Sequence, residues 1–357
     1  MRWLKRHRRT LIRIILALST AFLIWYGWRF HSVKHPLSVS DTFPGIAMGT
    51  TVKKTIYSES SQKNRETDEA IDACLKELEE KISVRDSHSE VSLLNANYVT
   101  GGMNKLSDLL YSCVSRELEL CRETDGAFSP CIRPVSELWG IEDGSTQIPE
   151  ESQIRQALTL SDPAQLELTA DGLIFGKYGM KLDFGAVGKG LACDRIVEVL
   201  RSQGVQGAVV SVGGSIAVFG DKGRREDWHV GIQDPRGKEG DLLGVLICAG
   251  GTMISTSGDY EKYFEQDGKR YHHIFDPATG HPARSGLISV TVVSEDGFLS
   301  DALSTACFVM GPERGMEYVS RKGVQAVFVT AGRKVFVTKG LKNKFKVTAK
   351  GYEMEFR

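Results

Sequence analysis

The chain has 357 residues, enough for about two average domains, and 41% of its residues are apolar and 25% charged. These values are typical of a globular protein. They exclude a collagen, a low-complexity scaffold, a polytopic membrane protein and a small disulfide-stapled fold. The 45 basic and 45 acidic residues cancel in number, but they are unevenly distributed.

The basic residues concentrate at the start of the chain. Residues 1–40 contain eight lysines and arginines and no acidic residue, and the rest contains 37 basic and 45 acidic residues, a net charge of −8. Affinity for nucleic acid depends on neutralising phosphates with positive charge. The acidic remainder therefore argues against a nucleic-acid partner.

An apolar run from Ile14 to Trp28 follows the basic start. With snorkelling arginines at its ends, this run is about long enough to cross a bilayer. We interpret 1–13 as a basic cytoplasmic segment, 14–30 as a transmembrane anchor helix and 31–43 as a linker. A signal peptide cleaved near Ala17-Leu18-Ser19 is the alternative. Because positive charge stays in the cytoplasm, we expect the rest of the chain on the extracytoplasmic side.

Seven cysteines occur without the spacing of a metal site. We expect them to be buried free thiols that pack as small apolar side chains. One or two disulfides, for example among Cys113, Cys121 and Cys131, are the alternative in an oxidising compartment.

Apolar periodicity and helix-start signals predict six helices. They cover residues 67–82, 107–124, a segment opening at Pro149-Glu150-Glu151, 188–203 closed by Gly204, 300–310, and a segment following Pro312.

Short β-branched or alternating runs predict the strands. They cover residues 49–57, two short pieces in 173–182 around Gly179, 208–219 broken at Gly213-Gly214, 228–233, 243–248, 288–293, and a hairpin of 325–330 and 334–338 through Gly332. Helices and short amphipathic strands alternate irregularly, which favours an α+β fold. No second flexible linker interrupts 44–357, so this range is predicted to be one interwoven unit.

Several standard signatures are absent. The sequence contains no GxxxxGK[ST] phosphate loop, no GxGxxG at a strand-to-helix turn and no HExxH. P-loop nucleotide hydrolysis, dinucleotide binding of the Rossmann kind and zincin chemistry are therefore disfavoured.

Two glycine-containing segments could approach a ligand closely. In residues 181–190 an acid, Asp183, ends a strand-like piece and a helix begins at Gly188, so Lys189 and free helical N–H groups could bind an anion. An ordinary strand-to-helix turn is the alternative. In residues 211–216, Gly213-Gly214 indicates a bulge or close backbone packing, or a flat ligand lying against bare backbone.

Two further segments carry reactive side chains. Residues 271–281 contain three histidines and a turn sequence, and a strand ending at His273 could present its imidazole as a base. Asp301 and Thr305 are four apart on a predicted helix and share one face, where a carboxylate and a hydroxyl could hold Mg²⁺. The alternatives are a turn with incidental histidines, and a helix whose Asp301 and Thr305 serve its own backbone.

Taken together, these segments resemble the FAD:protein FMN transferases, the ApbE-like flavin transferases, from about Met48 to Gly311. The resemblance rests on eight ordered segments: Met48-Gly49-Thr50, Gly126-Ala127-Phe128-Ser129-Pro130, Leu138-Trp139-Gly140, 182–190, 212–216, 255–260, 273–280, and 301–305 with Met310-Gly311.

The resemblance implies an α+β unit of antiparallel sheets with flanking helices and a cleft for FAD. It implies Mg²⁺-dependent transfer of FMN from FAD to a threonine or serine hydroxyl, with release of AMP. Asp301, Thr305 and the Ala186 carbonyl look like metal ligands, and His273 resembles the base. The residues that look like FAD contacts are Met48, Ala127, Phe128, Ser129, Asp183 and Lys189, with the Gly188–Gly190 backbone beside the pyrophosphate.

Two departures from the family pattern affect the FAD pocket. Ser129 stands where the family usually has aspartate, and Val84 lies where a tyrosine is common in some members. Neither removes a metal ligand or the base, so an active enzyme is expected. A Mg²⁺-dependent FAD pyrophosphatase and a non-catalytic, membrane-tethered FAD-binding protein are the alternatives.

The resemblance also implies a partner and a location. Acceptors in the family carry a motif of the Asp-x-x-Ser/Thr-Ala-Thr kind in membrane redox proteins. The family is tethered on or exported across the bacterial inner membrane, which agrees with the anchor predicted from the sequence.

Overall fold

The computed structural model describes residues 38–222, 227–238 and 240–357. The predicted basic segment, the predicted anchor helix and the first part of the predicted linker lie outside these ranges. Within them, every helix is too short or too polar to cross a membrane.

Eight α-helices are present in the described residues. They are α1 (Ser61–Ile82), α2 (Glu90–Asn97), α3 (Asp108–Glu123), α4 (Arg133–Trp139), α5 (Glu151–Leu160), α6 (Gly188–Gln203), α7 (Gly297–Met310) and α8 (Pro312–Lys322). All six predicted helices are confirmed. The two that were missed, α2 and α4, have eight and seven residues, which is too short for a periodic pattern to stand out.

The strands of the described residues are numbered in chain order. They are β1 (Val39–Ala47), β2 (Thr50–Ser58), β3 (Met103–Asn104), β4 (Leu166–Thr169), β5 (Gly172–Phe175), β6 (Gly207–Val212), β7 (Ser215–Gly220), β8 (Trp228–Gln233), β9 (Leu242–Cys248), β10 (Met253–Gly258), β11 (Tyr263–Gln266), β12 (Lys269–His272), β13 (Leu287–Ser294), β14 (Gln325–Thr330), β15 (Lys334–Val337), β16 (Phe345–Val347) and β17 (Glu353–Phe356).

A nine-stranded sheet in the order β1-β2-β6-β7-β10-β13-β14-β15-β17 organises the fold. Its pairs are antiparallel except for β15 with β17. Smaller sheets join β16-β9-β8, β3-β5-β4 and β11-β12. The fold is therefore α+β with a large, mainly antiparallel sheet and flanking helices, as predicted.

Both faces of the large sheet are covered. On β13, Val290 and Val292 belong to the apolar core that includes the helices, whereas Ile288 and Val293 belong to a second core with the β16-β9-β8 sheet. This explains why β13 is a nearly continuous apolar run. A third, smaller core joins α4 and α5 to Phe264 and Phe275.

The folded unit begins earlier than predicted. Residues 39–43 of the predicted linker lie in β1, which pairs with β2 from Val39↔Ser58 to Ala47↔Thr50. The side chain of Asn64 on α1 donates to the Val39 carbonyl at 3.1 Å. The segment was missed because its alternation is interrupted by Pro44 and Gly45, which usually indicate a turn.

Two predictions in the middle of the chain need correction. Only the first strand-like piece of 173–182 is a strand, namely β5, because the backbone of Leu182 is bonded to the Asn95 side chain instead of a ladder partner. Gly213-Gly214 forms the two-residue loop of the β6–β7 hairpin and is not a bulge within one strand. All seven cysteines are free thiols, and six of them are buried.

Helices α6 and α7 pack at an unusually close distance. A Cβ built on Gly190 would lie 2.0 Å from the carbonyl oxygen of Gly297, and one on Gly297 would lie 2.3 Å from the carbonyl oxygen of Gly190. Both positions therefore require glycine, because only a residue without a side chain permits this approach.

Each of these two helices caps the other. Asp194 of α6 accepts hydrogen bonds from the N–H groups of Gly297 and Phe298 at 2.7 and 2.8 Å. Asp301 of α7 accepts one from the N–H of Gly190 at 2.9 Å. Each carboxylate thus satisfies N–H groups at the start of the other helix and complements its dipole.

Replacing Gly190 tests this close packing. In an exposed helix Gly→Ala stabilises by about 1 kcal/mol, but here the methyl group would push the two helices apart. We expect Gly190→Ala to destabilise the fold by about 1–3 kcal/mol, measured by chemical denaturation. Gly332→Ala is the control, because its nearest neighbour would lie 3.9 Å away. Equal stability of the two variants would contradict the packing argument.

Candidate functional site

A cleft of about 540 Å³ lies between the large sheet, the start of α6 and the two segments that flank the β11–β12 hairpin. Nine of the ten residues predicted to form a site line it: Met48, Ala127, Phe128, Ser129, Asp183, Ala186, Lys189, His273 and Thr305. The tenth, Asp301, is almost fully buried directly behind Lys189. Side chains that are spread over more than 250 positions of the sequence therefore meet in one place.

Met48 has a strained backbone at the cleft. With Gly49 it forms the two-residue loop between β1 and β2, and both residues have positive φ, 55° and 65°. Such loops favour Asn-Gly, so a methionine here is unusual. Its N–H donates to Glu79 Oε1 at 2.8 Å, which helps to hold the turn. Backbone strain of this kind is typical of functional sites.

The turn after α3 forms another wall of the cleft. Asp125 and Gly126 have positive φ, which reverses the chain and brings Ala127 and Phe128 to the cleft. Ser129 is nearly buried, and its hydroxyl accepts from the Cys131 N–H at 3.4 Å. The serine at this position is therefore used, at least in part, to hold the turn.

Asp183 is fixed by hydrogen bonds on both carboxylate oxygens. Oδ1 accepts from the Gly185 N–H at 2.9 Å, and Oδ2 accepts from the Ser136 hydroxyl at 3.3 Å. Burial raises the pKa of Asp183, and Glu142 also raises it while Arg133 lowers it. The carboxylate is thus placed in the cleft with little freedom to turn.

The start of α6 differs from the predicted anion site. The Gly190 N–H donates to Asp301 and the Gly188 N–H donates to the Phe184 carbonyl at 2.7 Å. The Gly188–Gly190 backbone therefore does not offer these N–H groups to a phosphate. An internal carboxylate already occupies the place that an anion would take at this helix terminus.

The side chain of Lys189 does reach the cleft. Its Nζ lies 3.4 Å from the Gly185 carbonyl oxygen and 3.8 Å from Asp301 Oδ1. Asp301 is the main cause that raises the pKa of Lys189, so the ammonium remains charged. Lys189 is therefore the group of α6 that can bind an anion.

Asp301 and Thr305 do not serve the backbone of their own helix, which was the alternative to a metal site. The Asp301 carbonyl accepts from the Ser304 hydroxyl at 2.8 Å, whereas the Thr305 hydroxyl lies 3.1 Å from Ser257 Oγ and lines the cleft. Asp301 caps α6 and not its own helix. Thr305 thus reaches the cleft, whereas Asp301 is buried behind Lys189.

This arrangement fits a hard cation. A carboxylate, a hydroxyl and the Ala186 carbonyl are the oxygen donors that Mg²⁺ prefers, and the carboxylate among them already faces one cation, the Lys189 ammonium at 3.8 Å. In the described part of the chain, no group of three or more His, Cys, Asp or Glu side chains could form a metal site. The donor set would need waters or substrate oxygens to complete the octahedral coordination of Mg²⁺.

His273 follows β12 directly and is held by one carbonyl. The Lys262 carbonyl oxygen lies 3.1 Å from the His273 backbone N and 3.3 Å from Nδ1. Because a carbonyl can only accept, Nδ1 carries the proton and Nε2 has a free lone pair. Burial lowers the pKa of His273 to about 4, and Glu142 partly opposes this shift. The imidazole is therefore neutral near pH 7.

Several cleft residues were missed from the sequence. Glu79, Glu142, Glu261 and Lys262 all line the cleft. Glu142 follows the recognised Leu138-Trp139-Gly140 motif, and Glu261 and Lys262 follow Gly258-Asp259-Tyr260, so proximity to a motif was the available signal. Glu79 lies on the long helix α1, where a surface carboxylate has no distinguishing pattern.

The glycine pair 213–214 also lies at the cleft. A Cβ on Gly213 would be 2.7 Å from Thr50 Oγ1, and one on Gly214 would be 2.8 Å from the Thr256 carbonyl oxygen. The pair is thus required for packing, and it leaves bare backbone at the cleft surface.

Comparison with known proteins gives a consistent result. The model of the ApbE family matches residues 48–328. An FAD:protein FMN transferase of Treponema pallidum is 31% identical, over 87% of this chain and 90% of its own. A protein of the same name from Klebsiella pneumoniae is 30% identical, over 88% and 96%.

Solved structures agree with the sequence relatives. The apo form of a flavinyl transferase ApbE from Pseudomonas stutzeri superposes with a TM-score of 0.76 at 29% identity, over 87% of this chain and 98% of that one. An ApbE protein of Thermotoga maritima gives 0.77 at 32% identity, over 86% and 99%.

The Met48 turn supplies a test of backbone strain. A β-branched residue is poorly tolerated at positive φ, whereas asparagine is favoured. We expect Met48→Ile to be less stable than Met48→Asn by about 1–2 kcal/mol, measured by denaturant unfolding. Equal stabilities would mean that the turn readily adopts another conformation.

Proposed function

The chain belongs to the ApbE family, and we propose that it transfers the FMN half of FAD to a serine or threonine hydroxyl of an acceptor protein and releases AMP. One observation carries the proposal: the free Nε2 of His273, the Lys189 ammonium and the Thr305 hydroxyl line the same cleft. A base, a cation and a place for a metal are the parts that phosphoryl transfer requires.

The residues of the chain divide the reaction between them. Met48 and Phe128 form walls for FAD, and Lys189 offsets charge on the pyrophosphate. His273 Nε2 takes the proton of the acceptor hydroxyl as its oxygen bonds to the FMN phosphorus. The bond from that phosphorus to the bridging oxygen then breaks, and AMP leaves with the bonding electrons.

Mg²⁺ is part of the proposal. Asp301, Thr305 and the Ala186 carbonyl would hold it, and the ion would offset charge that builds up on the phosphates. In support, Asp301 Oδ2 is used by the Gly190 N–H, while Oδ1 faces the Lys189 ammonium. One carboxylate oxygen is thus directed to the region where positive charge collects.

We also propose where the reaction takes place. The basic start and the apolar run 14–28 support a single-pass anchor in the bacterial inner membrane, with the cleft on the extracytoplasmic side. The acceptor would be a membrane redox protein with an Asp-x-x-Ser/Thr-Ala-Thr-type motif.

The full-length chain in detergent, incubated with FAD and an acceptor domain bearing this motif, tests the proposal. With Mg²⁺ we expect one added FMN on the acceptor by mass spectrometry and an equal amount of AMP by chromatography. Without Mg²⁺, both products should fall to background.

Asp301→Asn is the matched variant, because asparagine keeps an acceptor for the Gly190 N–H but loses the charge. It should lose activity together with the response to Mg²⁺ while keeping its melting temperature. If AMP and free FMN form while this acceptor and a second acceptor domain with the same type of motif both stay unmodified, the protein is an FAD pyrophosphatase. Intact FAD in the presence of Mg²⁺ would show a binding protein.

His273 should control both the rate and its pH dependence. We expect His273→Ala to slow transfer by roughly 10²–10⁴ while FAD binding, followed by flavin fluorescence, persists. The base must be neutral, and the pKa of His273 is lowered to about 4. Activity should therefore hold as the pH falls through the ordinary histidine pKa of about 6.5 and be lost nearer 4. Loss of FAD binding in the variant would make His273 a pocket residue.

A further inference from the structure

Glu142 is an acidic side chain that lines the cleft together with the proposed base, His273. It lies on the short 3₁₀ helix Ile141–Asp143, which begins after Gly140 in a left-handed conformation with φ 59°. Ile141 is buried in the third core together with Trp139 and Phe275. The glycine thus turns the chain at the end of α4, and Ile141 fixes the turn.

The same core holds the segment that carries His273. The Trp139 indole N–H donates to the Gly280 carbonyl at 2.8 Å, and its ring packs against Tyr271 and Phe275. Tyr271 and Phe275 are each two residues from His273. The third core therefore connects the segment of Glu142 to the segment of His273, while Ile274, next to His273, is anchored in the main core.

Both carboxylate oxygens of Glu142 have cationic partners. Oε1 accepts from Lys262 Nζ at 3.1 Å, and Oε2 lies 3.4 Å from Arg85 NH2. Lys262 is also the residue whose carbonyl bonds His273 Nδ1. Glu142 is thus connected to the imidazole through Lys262 as well as through space.

The largest electrostatic effects on the imidazole come from Glu142, Lys189, Lys262 and His272. Of these, only Glu142 raises the pKa of His273, while the other three and burial lower it. Lys262 has the largest effect among the groups that lower the pKa of Glu142 to about 2, and His273 has the next largest. Glu142 is therefore ionised near neutral pH.

We propose that Glu142 is a positioning residue for FMN transfer, whose carboxylate holds the Lys262 segment and stabilises the His273 imidazolium formed when Nε2 takes the hydroxyl proton. This inference rests on the proposed function. A carboxylate beside a catalytic histidine usually orients the imidazole and stabilises its charged form by direct contact. Glu142 would do both through Lys262, without touching the ring.

The first experiment compares Glu142→Gln with the wild type. Glutamine keeps the size of the side chain and loses its charge. We expect kcat to fall by roughly 10-fold, a part of the 10²–10⁴ that a general base supplies, with little change in the KM for FAD. The acid limb of kcat should move to lower pH. In the protein without FAD, the titration of isotope-labelled His273 should move the same way by NMR, with His273→Ala used to assign the signal.

Two further variants separate charge from placement. Lys262→Met removes a cation near the imidazole but keeps the carbonyl that holds Nδ1, so the His273 titration should move to higher pH, opposite to Glu142→Gln. Glu137→Gln is the matched control. Glu137 also bonds two cations, Arg133 and Lys181, but it lies outside the cleft, and its loss should leave the His273 titration and kcat unchanged.

The outcomes decide the inference. Opposite shifts in the two variants, with partial recovery of kcat in Glu142→Asp, support it. An unchanged His273 titration and kcat in Glu142→Gln overturn it, and so do shifts of the same sign in Glu142→Gln and Lys262→Met. If the wild type makes no FMN adduct, the proposed function fails. The His273 titration, measured without FAD, still shows whether Glu142 stabilises the imidazolium.

Discussion

The reciprocal capping of α6 and α7 is the constraint on which the candidate site depends. Gly190 and Gly297 let the two helices touch backbone to backbone, and only at that distance can Asp301 reach the start of α6 and Asp194 the start of α7. This contact places Asp301 behind Lys189 and directs Thr305 to the cleft. Burying the carboxylates of Asp194 and Asp301 costs free energy. This cost is offset because each carboxylate accepts hydrogen bonds from N–H groups that have no partner within their own helix.

That constraint also explains why the Gly190 N–H at the start of α6 is not free to bind an anion. The Asp301 carboxylate already binds the N–H of Gly190, which leaves the Lys189 side chain as the group of α6 that can bind an anion. A lysine can move between the carboxylate and a ligand, whereas backbone N–H groups cannot. The charge balance at this end of the cleft therefore depends on what is bound there.

Local patterns predicted the fold well and its contacts less well. Long amphipathic segments such as α1, α3 and α6 were predictable because periodicity persists over four or more turns. Strand β1 could not be predicted, because Pro44 and Gly45 interrupt its alternation and its extended conformation depends on pairing with β2. Nine of the ten residues predicted from the motifs of the resemblance line one cleft. Glu142 and the capping by Asp301 could not be predicted, because they depend on the packing of segments that are far apart in sequence.

The segment that carries His273 is held between two apolar cores. Phe275 belongs to the third core together with Ile141, which precedes Glu142, whereas Ile274 belongs to the main core together with Ala302 and Leu191 of the crossing helices. The ring of His272 also packs against Phe308 of α7. The position of His273 therefore depends on the helix crossing as well as on the third core, and a substitution in either core can change the geometry around its imidazole.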